Sequence, residues 1–116
     1  MMKNFLKSFK YAFEGILSAF ALERNLKVQV IIAALTIGAG FYFKISPIEW
    51  CVIILAIGLV LSMELVNTAI ENVVNMITTE RKPLAGKIKD IAAGAVLIVS
   101  IVAVLVGIFV FRKYLL

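Results

Sequence analysis

The chain has 116 residues, 63% hydrophobic and only 16% charged, with a mean hydropathy of +1.07. A soluble domain carries about a quarter of its residues as charges, so no single water-facing fold could hide this much apolar surface, and the sequence reads as a membrane protein. Twelve Lys and Arg against seven Asp and Glu give +5, which in such a chain means basic loops against anionic headgroups; no nucleic-acid partner is expected, because no basic cluster is interleaved with aromatics.

The first predicted element covers about residues 3–22. Phe5, Leu6, Phe9, Ala12, Phe13, Ile16, Leu17 and Phe20 recur at three and four, while Lys3, Lys7, Lys10 and Glu14 fall elsewhere on the helical wheel. That pattern makes an amphipathic helix suited to the headgroup plane. The segment lacks an uninterrupted apolar run followed by a small-residue cleavage site, so it reads as retained rather than as a signal peptide.

Three apolar segments follow, each measured against the roughly 20 residues that cross a bilayer. They run over about 26–45, 48–77 and 88–111, and the stretch from Ile91 to Phe111 holds no charge. Between the first two, "KISPIEW" places Ser46-Pro47 in a tight turn with Pro opening the next helix and Trp50 at interfacial depth. The second connection, "TTERKPLAGKIKD", is polar, basic and broken by Pro83. Lys3, Lys7, Lys10, Arg24, Lys27, Arg81, Lys82, Lys87 and Lys89 fall on one side, and Lys44, Arg112 and Lys113 on the other. That imbalance makes the first side cytoplasmic. With no repeat or low-complexity tract, residues 1–116 form one domain: an all-α membrane protein of one surface helix and three transmembrane helices.

A polar stripe interrupts the second apolar segment. At 100° per residue Glu64, Asn67, Glu71 and Asn75 fall within roughly 80° of one another along about 16 Å of helix. Counted from Ile48 on the outer side, the stripe reaches the cytoplasmic interface, with Glu64 deepest. An ionisable group there costs at least about 2.5 kcal/mol and so marks a function by default; interhelical hydrogen bonding is the structural alternative. Lys89-Asp90, across the short connection, is expected to supply the counterpart of the carboxylates. Glu23 lies at the same level ahead of the first membrane segment. With no His and one Cys, chemistry falls to carboxylates, Lys and Asn. Carboxylates beside Lys and Asn suit Mg²⁺ shared with phosphate oxygens, and a further carboxylate in a low-dielectric setting can take a proton from a hydroxyl. Together these parts describe phosphoryl transfer from ATP to a hydroxyl in the bilayer.

"ELVNTAIENVVN", followed after a polar link by "KDIAAGAVL", closely resembles the signature of the small bacterial diacylglycerol kinase and undecaprenol kinase family, and the likeness runs from Ser8 to about Ile101. The resemblance implies a homotrimer in the bacterial cytoplasmic membrane, with ATP and a membrane lipid as substrates and Mg²⁺ as cofactor. By motif position it implies that Glu64 is the general base toward the lipid hydroxyl, that Glu23 and Glu71 bind Mg²⁺, and that Asn67 is a polar partner. Lys89 and Asp90 match the pair that contacts the nucleotide, Glu80, Arg81 and Lys82 match the bordering connection, and Tyr11 falls where the surface helix approaches it. Two departures stand out. Asn75 replaces the family's usual Asp, which is expected to weaken activity without abolishing it, and "ERKP" stands where relatives often carry an aromatic and a His. "LERN" and "NTAIENVV" lean toward the undecaprenol-acting members.

Other residues carry structural expectations. "GAG" at Gly38–Gly40 and "AAGA" at Ala92–Ala95 read as close-packing surfaces, Cys51 as a small buried hydrophobe, Met63 and Met76 as packing, Arg112 and Lys113 as anchors at the far interface, and the Ser100 hydroxyl as bonded to its own helix. Two other functions compete: a proton-coupled transporter or channel using Glu64 and Glu71 as a relay, and a silent family member. A relay needs polar residues across the membrane, and Ile53–Leu61 and Ile91–Val99 offer none.

Overall fold

The computed structural model describes residues 1–116 as four helices: α1 (Met2–Leu22), α2 (Arg24–Phe43), α3 (Pro47–Ile77) and α4 (Pro83–Leu115). The protein is all-helical, and α2, α3 and α4 are each long and apolar enough to cross a membrane. Only 11 of 116 residues are buried within the protomer. Most of the apolar side chains therefore need lipid or another protein surface around them, which is the arrangement of a multi-pass membrane protein.

The joints are short and chemically distinct. α1 and α2 meet at the single extended residue Glu23, whose N–H still bonds the Ala19 carbonyl at 2.8 Å. No Pro or Gly marks this corner. α2 stops at Phe43 because Lys44 turns into the left-handed region at φ 53°, and Ile45 N–H returns to the Gly40 carbonyl at 3.2 Å, a helix closure that usually employs Gly. α3 then opens with Pro47 in its first turn. Ser46 Oγ accepts from Glu49 N–H at 3.2 Å and Glu49 Oε1 accepts from Ser46 N–H at 2.9 Å, a reciprocal capping box.

α4 is longer than the apolar stretch that announces it. It begins at Pro83 rather than near 88, because Pro suits a first helical turn and the following residues favour helix. It continues past Phe111 to Leu115, since Arg112 and Lys113 sit favourably at the negative end of the helix dipole. The 31 residues of α3 and 33 of α4 span about 46 and 50 Å. Both exceed the roughly 30 Å hydrocarbon layer, so polar end turns stand in the headgroup region.

Packing is tightest where α3 starts and α4 ends. Ile45, Ile53 and Val110 form a small buried core ringed by Phe43, Trp50, Ile57, Val106, Phe111 and Tyr114. Gly40 lets the Trp50 ring lie against α2: a Cβ there would sit 2.6 Å from Trp50 Cη2, so the expected packing role of this glycine is met. Gly38 and Gly94 have open space within the protomer, whereas Ala92 is buried. At the same end Glu49 binds the tail of α4: Tyr114 donates its hydroxyl to Glu49 Oε1, and Lys113 Nζ lies 3.1 Å from Glu49 Oε2. Lys113 thus anchors to protein, while Arg112 lies over the Phe109 ring. Cys51 faces outward, contrary to the burial expected of it, and Met76 is 88% exposed rather than packed. Both point away from neighbouring helices because the α3–α4 contact uses the opposite side of α3.

Candidate active site

The other end of the helices is polar. There the Glu23 corner, the last three turns of α3, the 78–82 connection and the start of α4 come together, with α1 packed beside α3 so that Ala12–Leu22 face Leu65–Asn72 across a hollow of about 360 Å³.

Glu64 lies deepest and is 5% exposed, the only charged side chain buried in the protomer. Glu23, at the α1–α2 corner, and Glu71, two turns further along α3, both act on its carboxylate electrostatically. Thr68, one turn on, is buried too, and its hydroxyl donates to the Glu64 carbonyl at 3.0 Å. The sequence reading missed Thr68; its place one turn after Glu64, inside the stripe, was the available signal.

Asn67 donates from Nδ2 to Glu71 Oε1 at 3.1 Å. A carboxylate can only accept, so this bond fixes which way the amide faces. The Asn67 Oδ1 is then left buried with no hydrogen-bond partner, which costs about 1–3 kcal/mol unless a further group supplies one. An orphaned oxygen beside Glu71, with Glu23 nearby, is the hard-oxygen donor set that suits Mg²⁺ together with its waters. No group of three acids, His or Cys is arranged to hold a metal by itself. Mg²⁺ does not require one, since it takes one or two carboxylates and completes its shell with waters and phosphate oxygens.

Toward the end of α3 the structure departs from the expected charge pairing. Lys89 does not engage a carboxylate; its Nζ donates to Asn75 Oδ1 at 2.7 Å. The two residues face each other across the α3–α4 hairpin, whereas the Glu71 carboxylate is engaged by Asn67 one turn below. Beyond this pair opens a groove of about 620 Å³ lined almost wholly by polar residues, among them Asn75, Glu80, Arg81, Lys82 and Lys89. Thr78, Thr79 and Gly86 also line it and were not singled out from sequence. Thr78 Oγ1 accepts from Glu80 N–H at 3.1 Å, and Lys82 N–H bonds the Glu80 carbonyl at 3.0 Å, so the connection holds its own shape.

Two expected residues stand apart. Tyr11 is exposed on α1 and lines neither the groove nor the α1–α3 hollow, and Asp90 is exposed at the start of α4 without lining the groove. On the membrane side of Glu64, an apolar hollow of about 290 Å³ lies between α2, α3 and α4. Val60 and Leu61 border it one turn from Glu64, and Gln29, Thr36 and Ser100 are its polar members. Thr36 bonds its own helix at Ile32; Ser100, expected to do likewise, makes no such bond and faces the hollow instead.

The profile of the family described as prokaryotic diacylglycerol kinase matches residues 10–111. The chain is 40% identical over 110 residues to the undecaprenol kinase of Bacillus subtilis, covering 95% of this chain and 89% of that protein. It is 40% identical over 105 residues to a diacylglycerol kinase of Synechocystis, covering 90% of this chain and 60% of the relative. To the diacylglycerol kinase of Haemophilus influenzae it is 34% identical over 97 residues, covering 84% and 82%.

Proposed function

The chain belongs to the prokaryotic diacylglycerol kinase family of lipid kinases, and from that premise we propose that it phosphorylates a polyprenol hydroxyl, undecaprenol in preference to diacylglycerol, at the cytoplasmic face of a bacterial inner membrane. The observation that carries the reading is Glu64: a buried carboxylate, in range of two others, placed between a polar cationic groove and an apolar hollow open to the bilayer. The choice of polyprenol rests on the likeness to the undecaprenol kinase of Bacillus subtilis.

In this reading the lipid enters sideways with its chain against the apolar hollow and its hydroxyl at Glu64, while ATP enters from the cytosol with its phosphates in the groove. A Glu64 carboxylate oxygen takes the hydroxyl proton as the lipid oxygen bonds to the γ-phosphorus; the bond to the β-phosphate oxygen breaks and ADP leaves. Lys89, Arg81 and Lys82 offset phosphate charge, and Asn75 lies at the mouth. Glu80 borders the groove, whereas Asp90 and Tyr11 lie outside it and are given no contact with the nucleotide. Glu71 and Glu23 would hold Mg²⁺, with the unpartnered Asn67 Oδ1 beside Glu71 as a further oxygen acceptor. When bound, Mg²⁺ neutralises charge building on the phosphate oxygens.

α1 supports a surface location. Phe5, Phe9, Phe13 and Leu17 are exposed within the protomer, and a bilayer would cover them while Lys3, Lys7 and Lys10 meet headgroups. The protein acts as a homotrimer in this reading, since a protomer that buries so few residues leaves apolar faces for neighbours. A proton relay is not favoured, because the hollow beyond Glu64 is predominantly apolar.

The test is transfer of radiolabel from ATP, with Mg²⁺, in mixed micelles holding either undecaprenol or diacylglycerol. Labelled polyprenol phosphate, lost in Glu64→Gln, is the expected result. Label only on diacylglycerol would reverse the substrate assignment, and no label on either lipid would overturn the kinase reading.

A further inference from the structure

The hollow between α2, α3 and α4 is apolar along most of its length, but not at its inner end. Ser100 is the residue of its α4 wall nearest the polar end of the helices, and Gln29 is that of its α2 wall. The α3 wall stops at Val60 and Leu61, one turn short of Glu64. Further out, the α4 wall carries no polar side chain.

Two contacts fix the register of the α3–α4 hairpin: Lys89 meets Asn75 at one end and Tyr114 meets Glu49 at the other. Eleven residues lead from Asn75 to Glu64 and eleven from Lys89 to Ser100, about 16 Å along each helix. From the opposite end, fifteen residues lead from Glu49 to Glu64 and fourteen from Tyr114 to Ser100. Both counts set Ser100 level with Glu64. Ser100 is also the only polar side chain between Ile91 and Phe111. A serine within a helix commonly bonds the carbonyl one turn back, as Thr36 does in the same hollow at 2.8 Å. The Ser100 hydroxyl faces the hollow without a partner in the protein, which is costly in apolar surroundings unless a ligand supplies one.

We propose that Ser100 binds the acceptor alcohol, its Oγ–H donating to the lipid oxygen whose own hydrogen faces Glu64. This rests on reading Glu64 as the base and the hollow as the place of the lipid. An alcohol oxygen has one hydrogen and two lone pairs. With the hydrogen on Glu64 and one lone pair held by Ser100, the other lone pair is turned toward the incoming phosphorus. Ser100 keeps its proton throughout, and no bond to it is made or broken. What it recognises is the hydroxyl itself, common to a polyprenol and a diacylglycerol.

The experiment measures initial rates of label transfer from ATP, with Mg²⁺, in mixed micelles, varying the lipid at saturating ATP and then ATP at saturating lipid. It uses whichever of undecaprenol and diacylglycerol the wild type labels, so that the choice of substrate and the role of Ser100 fail separately. Ser100→Ala should lower kcat/KM for the lipid about three- to tenfold, the scale of one neutral hydrogen bond, and leave KM for ATP unchanged. Ser100→Cys fills the same space with a weak donor and should behave as Ser100→Ala does, whereas Ser100→Thr keeps a hydroxyl and should recover most of the loss. If Ser100→Cys restores the rate, Ser100 only packs and the proposal is overturned. It is overturned equally if Ser100→Ala impairs the use of ATP as much as that of the lipid, or if Ser100→Ala is silent and Gln29→Leu alone carries the loss specific to the lipid. A wild type that labels neither lipid would remove the kinase reading and this inference with it.

Discussion

Gly40→Ala would put a methyl carbon 2.6 Å from Trp50 Cη2, 2.9 Å from Cζ2 and 3.1 Å from Cζ3. Carbon atoms rest about 3.5–4.0 Å apart, so the indole or its helix has to retreat by about 1 Å. The ring has little freedom to do so, because its centroid lies 4.9 Å from that of Phe41 and its flank borders the Ile45–Ile53–Val110 core. Overpacking of this kind costs about 1–3 kcal/mol, against about 0.5–1 kcal/mol gained by Ala over Gly within a helix. Gly38→Ala is the matched control, since its Cβ meets nothing within 4 Å and it keeps only the propensity gain. The two variants should therefore differ by about 1–3 kcal/mol in stability. Trp50 is the sole tryptophan, so fluorescence during unfolding by SDS in mixed micelles reports directly on the affected contact. Adding Trp50→Phe to Gly40→Ala should recover part of the loss. For that tryptophan-free variant the readout is the loss of helical circular dichroism in the same SDS unfolding, with Trp50→Phe alone as its reference. If Gly40→Ala proved as stable as Gly38→Ala, the close approach of α2 and Trp50 would be wrong.

Other variants separate the two ends of the molecule. Glu64→Gln should abolish turnover while leaving Mg·ATP binding largely intact, whereas Glu71→Gln should weaken nucleotide binding itself; kinetics paired with equilibrium binding distinguishes the two. Lys44→Gly relieves a left-handed residue and should stabilise the protein by about 1 kcal/mol, read from the same SDS unfolding. Glu49→Gln or Tyr114→Phe should lower the temperature at which activity is lost on heating in detergent, yet leave the initial rate unchanged. A large fall in initial rate would mean that the Glu49–Tyr114 end governs catalysis directly. Thr68→Val removes the bond to the Glu64 carbonyl without changing shape and should reduce kcat more than the apparent affinity for ATP, because it disturbs only the turn that carries the base.

Much of this architecture is legible in the sequence because lipid imposes strong rules. Runs free of charge mark the spans, Ser46-Pro47 marks the start of α3, and Glu and Asn residues spaced at three and four mark one face. What escapes notice depends on partners distant in sequence or on conformations that ordinary residues rarely adopt. Nothing local announces that Glu23 breaks a helix or that Lys44 turns left-handed. Charge matching pairs Lys89 with a carboxylate, whereas helix packing gives it Asn75. Glu49 is not singled out by the sequence, and only the hairpin brings it to Tyr114, 65 positions away. Thr68 looks like filler between Asn67 and Glu71 until burial singles it out.

The fastening of α3 to α4 at Glu49, Lys113 and Tyr114 has a mechanical corollary. Two rods joined at one end can move relative to each other chiefly by pivoting there, and α4 is a lever of about 50 Å measured from that pivot. Lys89 stands about 36 Å from the Lys113 end of that lever, so a rotation of about 4° shifts it by about 2.5 Å, close to the whole distance between Lys89 and Asn75. The joint at Glu49 can stay shut while the opposite tips open and close on a scale that makes or breaks a single bond. Rigidity at one membrane face and adjustability at the other are thus one property of the same hairpin.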